Sequence, residues 1–514
     1  MKTSIKNIFH STAKLTMGVA LVCSVSSCSD WLDVKSDMVE REKDIFTSYA
    51  GYQSALAGCY TSMGSRSIYG EKLTMNDIEQ LACLWSEPNR SNYETLYNLY
   101  HHDYDNDEVR DVVEAVYGGL YNVVVQANMI INNIDNDGVI QDPQARAVVK
   151  AEAYAIRAFC HFDALRLFGQ VPNNAQKKIS LPYAEKGSIS ELPAYYDYDS
   201  FVKKIEGDLK VAEDLLKDND PIMEYSYEQL NQNGNNPADL EDDFLEYRRF
   251  RMNYWAVRAL KARMYLYIGD TAKAYTEAMA VINATLNDEK VVELSGIGNT
   301  NAGYFALPSE CLFALSQSKL IDYSISVLGG NRAEQVRDGQ LHVSANMLNQ
   351  LFANQGTGSN NRYLQVWNKD ATNSQAIKMP TIRKYYYDAN NYTSSNNVNT
   401  LRTQLQLIPL LRLSEIYLIA METTTNLTEA NTLYKEYMKS HNVNVTTDFA
   451  SLDDVRTEVI DEYRREFYGE GVMFYVYKRM GTKNMLFNLR EDMSEELYAL
   501  PLPESEFDPN ANNK

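Results

Sequence analysis

The chain has 514 residues, 45% of them hydrophobic, and a formal net charge of −20 at pH 7. An acidic surface repels polyanions, and no run of Lys or Arg forms a basic patch that would oppose this repulsion, so nucleic acid is excluded as a partner. The chain is long enough to bury a large core.

The N-terminal segment has the pattern of a secretory signal. Three lysines precede the apolar stretch Leu15–Val25, and the sequence Val25-Ser26-Ser27-Cys28 resembles a bacterial lipobox. We predict cleavage after residue 27, acylation of Cys28, and a polar tether over residues 28–44. An ordinary signal peptide or a short anchor helix are the alternatives, although about ten apolar residues are too few to cross a bilayer.

Helical periodicity dominates the rest of the chain. A first helix is predicted over Asp44–Tyr60, and a longer one over Val109–Ile134. Asp142-Pro143 opens the antiparallel partner of the longer helix, after a turn at Asn136-Asp137-Gly138, and Gly169 and Pro172 end it. Similar pairs return further on, and they resemble tetratricopeptide units: Met252–Ile268 with Thr271–Leu286, and Ile408–Met421 with Thr428–Met438.

These patterns predict a mostly α protein with one domain over residues 45–514. A helical-repeat scaffold is expected over about 109–172, 199–286 and 405–440. An irregular half, with long loops of the kind that carry function, is expected over about 64–106 and 291–399.

Catalytic and metal-binding motifs are absent from the sequence. There is no His-Glu-x-x-His, no Gly-x-Ser-x-Gly and no phosphate-binding glycine loop, so we expect neither enzyme activity nor a cofactor. Acids occupy several positions of a calcium loop from Asp103 to Glu114, but Glu108 stands where that loop requires Gly. We therefore interpret them as the acidic start of a helix, and we expect no metal site. Pairing of Cys59 with Cys83 stays open.

Two groups of aromatic residues in the irregular half are candidates for ligand binding. Tyrosine is the dominant aromatic, with 37 tyrosines against 4 tryptophans. Flat rings beside amide and guanidinium donors suit a polar ligand, although Tyr93, Tyr97, Tyr100 and Tyr104 keep a helical spacing that also fits packing. The candidate ligand contacts are Trp85, Asn89, Arg90 and Tyr93 in the first group, and Tyr323 and Trp367 in the second.

Three further motifs resemble those of one family. They are Arg157-Ala158-Phe159 with Phe168-Gly169 and Val171-Pro172, the stretch Pro409–Leu418, and Arg464-Arg465-Glu466-Phe467 with Glu470-Gly471. Together with the lipobox and Leu500-Pro501-Leu502-Pro503-Glu504, they resemble SusD/RagB-type outer-membrane lipoproteins of the Bacteroidetes. After Gly471 the sequence Val472–Arg479 departs from the family pattern, which puts a structural salt bridge there in doubt.

The resemblance implies a SusD-like fold, in which tetratricopeptide-like hairpins pack against a loop-rich ligand-binding half. It also implies a SusC-like TonB-dependent transporter as partner and an outer-membrane, lipid-anchored location exposed at the cell surface. The ligand would be an oligosaccharide or, alternatively, a peptide, and a surface glycoside hydrolase is the less favoured function. The motif residues Arg157, Arg412, Glu415, Arg464 and Glu466 are expected to join helices through buried charge pairs.

Overall fold

In a computed structural model of the protein, the structure describes residues 44–135, 138–187, 192–231, 237–329, 335–337, 339–385, 406–488 and 492–507. The predicted signal peptide (1–27), Cys28 and the tether up to residue 43 lie outside the described residues. So do Asn136 and Asp137 of the predicted hairpin turn.

Helices make up most of the regular structure, as the sequence predicts. In chain order they are α1 (Tyr49–Met63), α2 (Asp77–Leu81), α3 (Glu94–Tyr100), α4 (Asp107–Asn133), α5 (Pro143–Phe168), α6 (Tyr198–Asn219), α7 (Tyr254–Tyr267), α8 (Thr271–Ile282), α9 (Ile297–Asn301), α10 (Leu320–Leu328), α11 (Ala345–Leu351), α12 (Leu413–Thr423), α13 (Leu427–Ser440), α14 (Leu452–Glu466), α15 (Met473–Met480) and α16 (Glu504–Phe507).

The strands of the described residues are short and pair antiparallel, two by two. They are β1 (Leu181–Tyr183) with β2 (Ala194–Tyr196), β3 (Thr285–Leu286) with β4 (Glu289–Lys290), β5 (Cys311–Ser316) with β8 (Leu407–Arg412), and β6 (Trp367–Asn368) with β7 (Thr381–Ile382).

Helices α4 and α5 are the predicted long pair, and their starts have clear chemical causes. The Asn106 side chain accepts the N–H of Val109 at 3.2 Å. The Asp142 carboxylate accepts two N–H groups of the first turn of α5 at 3.0 Å, and Pro143 supplies a preset φ. The prediction of this pair is confirmed. From α5 the scaffold continues by successive packing of α5 on α6, α6 on α7, α7 on α8, α8 on α12, and α12 on α13 and α14.

Helices α1 and α8 have boundaries other than those predicted. Helix α1 starts at Tyr49, because Ser48 accepts the N–H of Gly51 and caps it there. Helix α8 ends at Ile282 instead of continuing to residue 286. Asn287 and Asp288 both have positive φ, 51° and 66°, which suits a tight turn, so β3 and β4 form a small hairpin where the prediction had helix.

The third predicted pair begins with a strand. Residues Leu407–Arg412 form β8 beside β5, and helix α12 starts only at Leu413. A buried apolar run has no polar face, so its periodicity does not distinguish strand from helix. The predicted irregular stretch 291–399 also proves more regular than expected, because it contains β5, α10 and α11.

The irregular half meets the scaffold at the turn that follows α14. Gly471 has φ +68°, and a Cβ atom there would lie 2.2 Å from the carbonyl oxygen of Leu73. Only glycine allows this approach. The turn is therefore held directly against the segment that leads into α2.

The end of the chain returns to the first helices. The N–H of Leu500 donates to the carbonyl of Leu167 at 3.0 Å, the Tyr104 hydroxyl donates to the Leu497 carbonyl at 2.7 Å, and Tyr117 donates to Glu506 at 2.8 Å. This C-terminal segment, residues 493–507, closes one side of the α4–α5 pair.

Candidate ligand-binding site

The two tryptophans predicted to contact ligand are buried in the core, so that prediction is wrong for Trp85 and Trp367. Their exposed fractions are 0% and 2%. The ring of Tyr468 stands edge-on to both, with 4.9 Å between centroids. The Trp85 indole N–H donates to Glu79 at 2.8 Å. No face of either ring is left for a ligand.

Glu79 explains why Trp85 turns inward. Besides the indole, its carboxylate accepts the backbone N–H groups of Gly469 and Gly471, each at 2.9 Å. Burial raises the pKa of Glu79 to about 7, although these donors oppose the rise. The residue thus links α2 to the turn after α14, and Trp85 completes that link.

The other members of the first aromatic group form a surface. Asn89 to Tyr93 make a turn in which the N–H of Tyr93 donates to the Asn89 carbonyl at 2.9 Å, and α3 follows at once. Asn89 and Arg90 are exposed, while Tyr93 and Tyr97 are half-buried. The Arg90 guanidinium lies 5.5 Å above the centre of the Tyr97 ring. We call Asn89, Arg90, Tyr93, Tyr97 and His101 the aromatic ledge.

Contacts within the aromatic ledge hold its rings in place. The Tyr97 and His101 rings are 4.3 Å apart, and the His101 Nε2 atom lies 2.9 Å from a Glu87 carboxylate oxygen. Arg90 and His101 therefore lie against Tyr97, which fixes the orientation of the ring before any ligand arrives.

A loop from the predicted irregular stretch 291–399 supports the ledge. Gly339, with φ +86°, lies so close to Tyr93 that a Cβ atom there would be 2.1 Å from the ring. Next to it, Ser86 donates its N–H to the His342 carbonyl at 2.8 Å. The absence of a side chain at residue 339 is what lets the ring approach the loop so closely.

The same loop joins the ledge to α10, which carries Tyr323. The Gln340 side chain donates to the Ile325 carbonyl at 2.8 Å. Tyr323 is half-buried, with the Arg66 guanidinium 5.0 Å above its ring. The structure thus connects the two predicted groups through residues 339–342, but through loop contacts rather than through the tryptophans.

Two of the predicted structural residues, Arg412 and Glu466, lie in one buried charge network. Arg412 pairs with Glu470 at 2.8 Å, with Glu466 at 2.9 Å and with Glu310, and it thereby joins β8 to the end of α14. Burial raises the pKa of Glu310 to about 7 although Arg412 opposes it. Burial alone would also raise the pKa of Glu466, but Arg412, together with His441 and Arg362, holds it well below its usual range. Arg157 makes a comparable buried pair with Asp208, at 2.6 and 2.7 Å.

A polar cavity beside this network is not a promising ligand site. Its charged lining groups are already paired with one another: Arg263 with Glu415 at 2.7 Å, Arg166 with Asp163 at 3.0 Å, and Arg412 with Glu470. Glu415 therefore does join helices, α12 to α7. These groups stabilise the fold and offer no unpaired charge to a ligand.

Arg464 differs from its predicted role. Its ion pair is with Asp461 in the same helix, and the Asp461 side chain is 38% exposed. Its link to another helix is a hydrogen bond from Nε to the Tyr477 hydroxyl at 2.9 Å. The doubt about a structural salt bridge in residues 472–479 is removed, because Arg479 pairs with Glu422 of α12 at 3.0 Å.

Other features bear on the remaining sequence predictions. Cys59 and Cys83 are buried free thiols, so they do not form a disulfide. Among the described residues, no three His, Cys, Asp or Glu side chains are grouped as metal ligands. In the same part of the chain, no helix is both long and apolar enough to cross a bilayer.

Sequence reasoning missed two components of the site. Tyr97 has the i, i+4 spacing from Tyr93 that puts both on one helical face, and that signal is present in the sequence. The supporting loop at Gly339 gives no such signal, since its partner lies almost 250 residues earlier in the chain.

Comparison with known proteins gives consistent relatives. Residues 30–229 match the model of the family SusD-like_3, described as "Starch-binding associating with outer membrane". SusD-like protein P2 of Formosa agariphila is 24% identical over 96% of this chain and 97% of the relative. SusD-like protein P25 of the same organism is 27% identical over 38% of this chain and 36% of the relative.

Solved structures share the fold. A SusD superfamily protein from Bacteroides thetaiotaomicron aligns over 90% of this chain and 98% of its own, with 21% identity and a TM-score of 0.64. A laminarin-binding SusD-like protein aligns over 90% and 98%, with 16% identity and a TM-score of 0.63. A surface glycan-binding protein A from Bacteroides fluxus aligns over 90% and 97%, with 16% identity and a TM-score of 0.60. The predicted fold class is therefore confirmed.

Proposed function

We propose that this chain is a non-catalytic, lipid-anchored protein of the outer membrane that captures an oligosaccharide at the cell surface, and its similarity to the SusD-like family model and to a SusD-like relative supports this role. Two structural relatives are described as laminarin-binding and as surface glycan-binding, which supports a glycan as ligand. The family resemblance further supports transfer of the ligand to a SusC-like TonB-dependent transporter.

The observation that carries the proposal is the aromatic ledge. Tyr93 and Tyr97 present half-buried rings, and Asn89 and Arg90 present exposed amide and guanidinium groups beside them. Sugar rings have apolar faces that stack on tyrosine and hydroxyl groups that hydrogen-bond to amides. Tyr323, on the connected helix α10, is proposed as a more distant contact.

The two carboxyl groups whose pKa is raised to about 7 support a role without catalysis. Glu79 and Glu310 are buried and hydrogen-bonded to Trp85 and to Arg412 respectively. A general acid must reach the bond that it protonates. These two groups act inside the core, so the proposed role is binding alone.

Binding assays with the purified protein test the proposal. We expect calorimetric titration with oligosaccharide panels to give saturable binding, and Tyr93→Ala or Tyr97→Ala to weaken it about tenfold or more, as the loss of a stacking ring does. Tyr363→Ala is the matched control, because Tyr363 is also half-buried beneath a cation, Lys369, but lies outside the ledge.

Three outcomes would contradict the proposal. Tight binding of peptides without binding of any oligosaccharide would favour the alternative ligand class, for which the Arg90 donors are equally suited. Unchanged glycan affinity in both ledge variants would move the site elsewhere. Release of shorter products from an incubated oligosaccharide would make the protein a hydrolase.

A further inference from the structure

Most arginines of the described residues are paired with a carboxylate, as Arg157, Arg412 and Arg479 are. Within that part of the chain, Arg90, Arg146 and Arg337 have no such ion pair. All three are exposed. Because acidic residues outnumber basic ones in this protein, which has a net charge of −20, a guanidinium group without a carboxylate partner is unusual.

Two of the three belong to the turns that meet at Tyr93. Arg90 belongs to the turn that ends at Tyr93, and its guanidinium is stacked over Tyr97. Arg337 belongs to the turn that presents Gly339 to Tyr93, since its N–H donates to the Gln340 side chain at 2.7 Å and its carbonyl accepts the Gln340 N–H at 3.1 Å. The third, Arg146, is on the first turn of α5 in the scaffold.

Acidic residues also lie near these two turns in sequence, but none is paired with Arg90 or Arg337 among the described residues. Glu87 is engaged with His101, and Glu94 is exposed at the start of α3. Asp338, between Arg337 and Gly339 in sequence, lies outside the described residues. Arg90 and Arg337 are thus guanidinium groups without an ion pair, and they belong to the two turns that meet at Tyr93.

We infer that the ledge recognises an anionic oligosaccharide, with Arg90 and Arg337 binding its carboxylate or sulfate groups while its rings stack on Tyr93 and Tyr97. This inference rests on the proposed function. A guanidinium group matches the two oxygens of a carboxylate, and stacking on Tyr97 holds the Arg90 fork in place before the ligand arrives. A neutral ligand covering the same groups would remove them from water without compensating their charge.

Paired ligands and paired variants test the inference. The purified protein is titrated with uronate-containing and sulfated oligosaccharides, and each ligand that binds is compared with its carboxyl-reduced or desulfated form, which keeps the rings but loses the charge. Neutral β-glucan and α-glucan oligosaccharides and peptides complete the panel. Arg90→Gln and Arg337→Gln each remove one guanidinium from the ledge, and Arg146→Gln removes one from the scaffold as the control.

We expect the acidic form to bind about 10- to 100-fold more tightly than its neutral counterpart, the range that one or two charge-assisted hydrogen bonds supply. Arg90→Gln and Arg337→Gln should each weaken acidic ligands about tenfold and flatten the dependence of affinity on NaCl, with Arg146→Gln unchanged. Loss of binding on carboxyl reduction identifies carboxylate as the recognised group, and loss on desulfation identifies sulfate.

The outcomes distinguish a failure of the anionic specificity from a failure of glycan capture itself. Equal affinity for charged and neutral forms, or ledge variants that bind as the control does, would overturn the anionic specificity and leave glycan capture standing. Binding of peptides alone, or of no oligosaccharide in the panel, would overturn the proposed function together with this inference.

Discussion

Replacing Glu79 by Gln should change how the free energy of unfolding depends on pH. Burial raises the pKa of this carboxyl from 4.5 to about 7, against the opposing effect of the N–H groups of Gly469, Trp85 and Gly471. The folded chain therefore binds this proton more tightly than the unfolded chain does. The stability that the proton adds is complete below about pH 4.5, and it is lost as the pH rises through about 7.

The size of the effect follows from the same two values. One pKa unit corresponds to about 1.4 kcal/mol, so the wild-type protein should lose about 3 kcal/mol at this site between about pH 4 and pH 8. Glu79→Gln has no proton to release there. The NH₂ group of the new amide faces one of the N–H donors, and this mismatch lowers the free energy of unfolding by the same amount at every pH.

Urea unfolding followed by tryptophan fluorescence is the appropriate assay, because Trp85 and Trp367 lie beside the substituted group. The difference in unfolding free energy between wild type and Glu79→Gln is plotted against pH. Glu94→Gln, which changes an exposed carboxyl on α3, is the control. Parallel curves for wild type and Glu79→Gln would refute the reasoning, since they would mean that the three N–H donors keep the carboxylate ionised despite burial.

Three further changes have expected outcomes. Arg157→Met leaves the Asp208 carboxylate buried without its bidentate partner and should lower the free energy of unfolding in urea by about 3–5 kcal/mol. Adding Asp208→Leu should recover most of this loss. A change within experimental error for Arg157→Met would contradict a buried ion pair. Gly471→Ala should lower Tm, because residue 471 has a positive φ and the Leu73 carbonyl lies close to it. Gly118→Ala, which meets open space within α4, should raise the free energy of unfolding by up to about 1 kcal/mol. Equal Tm values for the two variants would disprove the close approach at Gly471. Cys28→Ala should move the protein from the outer-membrane fraction to the soluble fraction with ligand affinity intact, and continued membrane association would rule out the lipid anchor.

The scaffold was largely predictable because its signals are local. The N-cap residue Asp142 and the apolar stripe of α4 can both be recognised from residues that are close in sequence. They predict the observed bounds of α5 and α4 to within two residues. Strand β8 was not predictable in this way. All of its residues but Leu410 are buried, and its partner β5 lies almost 100 residues away, so only tertiary contacts decide between strand and helix.

The candidate site also has one part that neighbouring residues predict and another that depends on distant contacts. Tyr93 and Arg90 could be named from their neighbours in sequence, because a turn and a short helix bring them together. Trp85 could not be assigned correctly, since what buries it is Glu79 bound to a turn almost 400 residues further on. An aromatic residue in an irregular segment has equal grounds for a core or a surface position until the distant partner is known.

The C-terminal segment has a consequence for how the chain matures. Its contacts with Tyr104, Tyr117 and Leu167 join residues more than 300 positions apart. Closing loops of that length is entropically costly and slow, and it requires the last residues to be present. The N-terminal helices therefore lack part of their packing surface throughout synthesis. For a chain with the predicted signal peptide, we expect this order of events to keep the chain in a state that can still be threaded through a membrane until its C-terminal segment has been made.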